Sequence, residues 1–102
     1  MIEQAFQCAV TDGKAIERVI QDEALHINHM VLPEGEGFPE HVANAAVYMT
    51  VIRGRLSIDL DDQPTHEYGG GTILKIPRGT KMKGMNRHGG VLELLVVKLF
   101  TN

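Results

Sequence analysis

Eleven glycines and four prolines punctuate this chain at short intervals. Both residues interrupt helices and mark turns, so the pattern favours many short strands joined by tight connections over long helices. The apolar residues agree with it. Leu56, Ile58 and Leu60 alternate with Ser57 and Asp59, the period of two expected when one strand face is buried and the other wet. Val47 to Ile52 precedes this segment across Arg53-Gly54-Arg55, which reads as a hairpin-like bend. Asp61-Asp62-Gln63-Pro64 is a turn by composition, and Gly69-Gly70-Gly71 is another break. Ile73 to Ile76 reads as a short strand ended by Pro77, because proline cannot donate to a central ladder. Val91 to Phe100 is a near-continuous apolar run, broken only by Glu93 and Lys98, and reads as a final strand buried on both faces.

The N-terminal third leaves alternatives open. Ile16, Val19 and Ile20 have helical spacing, yet Ala15 to Ile20 is short and β-branched enough for a strand. Leu25 to Leu32 reads as a strand, with Asn28, Met30 and Leu32 on one face and Ile27, His29 and Val31 on the other. Pattern alone does not say which face turns inward. The whole count is about eight strands with little helix.

The sequence has 102 residues, 43% of them hydrophobic and 23% charged, and is expected to form one domain over 1-102, since a chain of this length supports a single core. No stretch approaches the roughly 20 apolar residues of a membrane helix, and the start lacks the basic and apolar segments of a signal peptide. A cytoplasmic protein without membrane contact is the expectation, and the lone Cys8 fits a reducing compartment. A net charge of −3 argues against general nucleic-acid binding, which demands excess Lys and Arg. The local basic run Lys75, Arg78, Lys81, Lys83 and Arg87 reads first as a solvated face.

Two spaced patterns carry the functional signal. Gly71 to Asn86 follows G-x5-P-x-G-x2-M-x3-N, with Met82 ahead of the final spacer. Gly35 to Gly54 follows G-x5-H-x-A-x3-V-x6-G through His41, Ala43 and Val47. Both spacings resemble the two signature motifs of the cupin family, small jelly-roll barrels whose histidines and one carboxylate usually hold a divalent metal. The resemblance implies an all-β, double-stranded β-helix barrel. It also implies that Ala43 and Met82 occupy histidine positions and Val47 the carboxylate position, leaving His41 alone of four expected ligands. Asn86 matches the terminal asparagine of the second motif, a position that is commonly structural.

A divalent cation gives up its water shell only for a full set of converging donors, and one imidazole is not such a set. The pocket expected from the resemblance is lined by His41, Ala43, Val47, Met49 and Met82, largely apolar with one polar anchor. No metal or other cofactor is expected. If a metal binds, the candidate donors are His41 with His29, or His41 with Met82 in a soft copper(I) site. The first functional expectation is a small-molecule binding or sensing module. The alternative is a cupin enzyme: a metal-dependent isomerase or dioxygenase using substitute ligands, or a metal-free isomerase with His41 as base. Small cupins are frequently homodimers, and the apolar terminal strand together with the N-terminal strands offers surface for a two-fold contact.

Overall fold

A computed structural model describes residues 1–100. Among them are nine strands and no helix: β1 (Ala15–Gln21), β2 (Leu25–Leu32), β3 (Gly37–Val42), β4 (Ala46–Arg53), β5 (Arg55–Leu60), β6 (His66–Gly69), β7 (Ile73–Ile76), β8 (Lys81–Met85) and β9 (Leu92–Leu99). They form two antiparallel sheets, five-stranded in the order β1-β2-β9-β4-β7 and four-stranded in the order β3-β8-β5-β6. This is the all-β, double-stranded β-helix roll that the motif spacing implies, with one strand more than the sequence count. The Ala15–Gln21 segment is a strand, so its β-branched residues outweigh its helical spacing.

The inward row read in β5 holds, but its other face is not wet at Ser57, which is 3% exposed and donates to Glu67. Leu56 and Ile58 are fully buried and face β8 through the Ile58–Gly84 and Leu60–Met82 pairs. In the larger sheet the inward rows are Leu32, Met30 and Asn28 on β2, facing Leu92, Leu94 and Val96 on β9. Val51 and Met49 on β4 continue those rows across Leu94 and Val96. Leu32, Met49, Val51, Leu56, Ile58, Leu92 and Leu94 are all at or below 1% exposure and form one cluster with Phe38, Val47 and Met82. Each such Leu or Ile contributes roughly 1.5–3 kcal/mol by leaving water.

Two readings are corrected here. Arg53-Gly54-Arg55 is not a hairpin: β4 and β5 lie in different sheets, and Gly54 is the corner where the chain changes sheet. It adopts φ +84°, and an added Cβ would lie 2.2 Å from the Val91 carbonyl oxygen, so only glycine fits. β9 is not buried on both faces. Leu92, Leu94 and Val96 are buried, whereas Leu95, Val97 and Leu99 on the outer side are half-buried. Asn44 belongs to the bend between β3 and β4 and Tyr48 sits half-buried on β4, turned outward between the inward Val47 and Met49. The basic run lies at the surface, with exposed Lys81 and Lys83 alternating with buried Met82 and Gly84.

Candidate functional site

The two motifs are joined to each other by main chain. Gly35 N–H donates to the Asn86 carbonyl at 2.8 Å and Asn86 N–H to the Glu36 carbonyl at 2.9 Å. At the other end of β3, Ala43 N–H donates to the Thr80 carbonyl and Gly79 N–H to the Ala43 carbonyl, both at 2.8 Å. Gly35 and Gly79 both need positive φ, +84° and +91°, which glycine adopts without a Cβ penalty. Backbone bonds at both ends of β3 therefore set where residues 41, 43 and 82 stand.

Asn86 fills the structural role expected of it. It is 1% exposed; its Nδ2 donates to the Leu32 carbonyl at 2.9 Å and the Gly90 carbonyl at 2.7 Å, while Oδ1 accepts from His88 N–H at 2.9 Å. These bonds tie β2, β8 and the turn before β9 together at one end of the roll.

The other end opens into a cavity of about 110 Å³. Its walls come from both sheets: Asn28 and Met30 on β2, Val47 and Met49 on β4, Val96 and Lys98 on β9, Phe38 and His41 on β3, and Met82 on β8. Of the sequence candidates, His41, Val47, Met49 and Met82 meet here, and His41 and Met82 are direct cross-strand partners. Ala43 is buried in the adjoining core cluster and is not part of the wall. His41 Nδ1 lies 3.0 Å from the Pro39 carbonyl. A carbonyl only accepts, so Nδ1 carries the hydrogen and Nε2 keeps a lone pair in the neutral ring. The Phe38 ring stands edge-on to the imidazole at 5.9 Å.

Phe38, Val96 and Lys98 are additions to the sequence candidates, and the Asn28–Met30 face of β2, left open by its pattern, is the one that turns inward. Asn28 Oδ1 is buried with no hydrogen-bond partner. A signal for Lys98 was present: Leu92, Leu94, Val96 and Lys98 form one alternating row, so the lysine shares a face with three buried residues.

His29 cannot join His41. It sits on the outer face of β2, 1% exposed, with Nδ1 2.8 Å from Glu17 Oε1 and Nε2 2.6 Å from Glu93 Oε2. Carboxylates accept, so both ring nitrogens donate and the ring is an imidazolium. Burial alone lowers the pKa of His29, but the hydrogen bonds to Glu93 and Glu17 outweigh it and the net shift is upward. Glu17 is held below the usual carboxylate range by the Ala9 N–H and then by His29; Glu93 is lowered first by its bond to His29 and further by Arg53. Arg53 extends the network, donating from Nε to Glu93 and from its terminal nitrogens to Asp12 and to the Thr11 carbonyl, each at 2.8 Å. This pins residues 7–12 over the outside of the sheet and leaves a shallow groove of about 470 Å³ beside Arg53 and Glu93.

The donor set does not fit a family-type metal centre. The four ligand positions hold one imidazole, a methyl group, an isopropyl group and a thioether, and among the described residues no group of three or more His, Cys, Asp and Glu is placed to hold an ion.

No protein-family model matches the chain. An uncharacterised protein of Methanocaldococcus jannaschii is 39% identical over 85 residues, 83% of this chain and 73% of that protein. The crystal structure of a RmlC-like cupin family protein with a double-stranded β-helix fold, from the same organism, superposes with TM-score 0.93 at 36% identity, covering 97% of this chain and 92% of that one. A cupin superfamily protein from Desulfitobacterium hafniense, at 17% identity and TM-score 0.79 over 93% of this chain and 84% of that one, shares the fold. The chain belongs to the RmlC-like cupin family.

Proposed function

We propose that the protein binds a small, partly apolar organic molecule in the barrel cavity without a metal, as a binding or sensing module. The observation that carries this is the exchange of donor atoms at an intact frame: the main-chain bonds between the motifs persist, while Val47 and Met82 turn hydrocarbon and thioether into the space. Concave, mainly apolar sites with a few polar groups are the usual form of small-molecule pockets. The test is elemental analysis of purified protein, expected to give Fe, Mn, Ni and Zn well below one equivalent. The combined variant Ala43→His, Val47→Glu and Met82→His is then expected to acquire one equivalent of divalent metal. Stoichiometric metal in the unaltered protein, lost in His41→Ala, defeats the reading.

One observation favours a second reading, a metal-free isomerase. The Nδ1 bond to Pro39 leaves Nε2 of a neutral His41, an exposed residue at the cavity wall, free to accept, as a general base must. Turnover that depends on pH and vanishes in His41→Gln supports it, and no turnover across sugars and keto acids removes it.

The reading includes a homodimer. Leu95, Val97 and Leu99 lie half-buried mid-sheet, next to Ile27 and Tyr48 in register with Val97, an apolar face suited to a two-fold contact. Sedimentation at high concentration that finds monomer alone would remove this part.

A further inference from the structure

The inward face of the larger sheet changes character along its length. On β9 it runs Leu92, Leu94, Val96, Lys98, and on β2 it runs Leu32, Met30, Asn28. Apolar at the closed end, both rows become polar where they reach the cavity. Asn28 pairs with Val96 and His26 with Lys98, so Asn28 and Lys98 are diagonal neighbours across adjacent strands, a separation long side chains span. Both line the same space.

Among the described residues neither has its needs met. Asn28 Oδ1 is a buried acceptor without a donor, a condition that costs about 1–3 kcal/mol when nothing fills it. Among the described residues Lys98 forms no ion pair with a carboxylate. Its ammonium offers donors and a positive charge, and the Asn28 amide offers one acceptor together with donors. Apart from the His41 imidazole, the remaining wall is hydrocarbon, thioether and phenyl. A 110 Å³ space is somewhat smaller than the roughly 150 Å³ apolar cavity that admits benzene.

Resting on the ligand-pocket reading above, we infer that the ligand is a short-chain carboxylic acid with a hydrogen-bond donor, a hydroxyl or amide N–H, on the carbon next to the carboxylate. The carboxylate pairs with Lys98, the neighbouring donor satisfies Asn28 Oδ1, and a branched aliphatic or small-ring tail of a few carbons lies against Met30, Met49 and Met82. A neutral molecule of the same shape leaves the ammonium unpaired. An acid lacking the donor leaves the asparagine oxygen as it stands.

The experiment is a ligand-observed NMR titration of the full chain with 2-hydroxy-3-methylbutanoate, 3-methylbutanoate and 3-methylbutan-1-ol. The hydroxy acid is expected to bind tightest, with the plain acid weaker by up to roughly tenfold, the worth of one neutral hydrogen bond. The alcohol falls at least another roughly tenfold behind, since a charge-assisted bond is the stronger kind. Lys98→Met should erase the preference for acids over the alcohol, and Lys98→Arg should keep it. Asn28→Ala should make the two acids equal. If the alcohol binds the unaltered protein as tightly as the acids, or Lys98→Met keeps the acid preference, the ligand class is wrong while the apolar pocket stands. If none of the three binds and the cavity-filling Met49→Phe changes no spectrum beyond its own neighbours, both this inference and the pocket reading fall.

Discussion

Each end of the roll holds an asparagine, Asn86 buried and Asn28 half-buried with a buried Oδ1, and the contrast between them separates structure from function. At the closed end every polar atom of the Asn86 side chain is engaged by the fold itself. At the open end Asn28 keeps an oxygen with no partner. A buried group that is fully satisfied holds the chain together, whereas one left wanting costs stability until something else supplies its partner.

The largest test of that contrast is to remove both amides. Asn86→Ala strips partners from the Leu32 and Gly90 carbonyls and the His88 N–H, and is expected to cost about 4 kcal/mol in urea denaturation, from orphaned groups at about 1–3 kcal/mol each. Asn28→Leu, which removes an orphan, should change stability by less than about 1 kcal/mol in either direction. Equal losses at the two positions would break the comparison.

Glycines repeat it on a smaller scale. Gly54→Ala combines positive φ with a Cβ placed against the Val91 main chain, and should cost about 3 kcal/mol from left-handed strain and overpacking together. Gly79→Ala near the open end has the same sign of φ and nothing within 4 Å, so only the strain of about 1–2 kcal/mol applies.

Smaller still is the pH dependence of the outer-face network. His29 has a raised pKa, so its contribution is complete below its ordinary 6.5 and fades as pH rises through the folded value. Glu17 and Glu93 have lowered pKa values, so theirs is complete above their ordinary 4.5 and fades as pH falls through the folded values. Melting temperature should therefore plateau between 4.5 and 6.5, and His29→Gln should flatten the alkaline limb. A melting curve that keeps rising above the plateau contradicts the imidazolium assignment. The half-exposed Lys14–Glu36 pair, at 3.0 Å, marks the floor: Lys14→Ala should shift stability by about 0.5 kcal/mol or less.

The fold was largely legible because the signals that define it are local. Leu25–Leu32 and Ile73–Ile76 are bounded as the turn residues and Pro77 indicate, and the glycines of both motifs mark true positive-φ positions. Arg53-Gly54-Arg55 was misjudged for a physical reason: a left-handed glycine serves a hairpin and a sheet-switching corner equally, and which one it makes depends on strands far along the chain. The site divided in the same way. His41, Val47, Met49 and Met82 were found through spacing, whereas the face of Asn28 was left open, because the inward face of β2 is set by pairing with β9 more than sixty residues on. The face of His29 was left open for the same cause, its partners lying 12 and 64 residues away. Lys98 alone could have been found, by extending to the end of β9 the alternation already visible in β5.

The main-chain bonds that clasp β3 to the second motif at both of its ends have a practical consequence. Because no side chain at positions 41, 47 or 82 takes part in that clasp, the lining can be redrawn one residue at a time while the mouth keeps its shape. A barrel fastened in this way is a natural host for new chemistry.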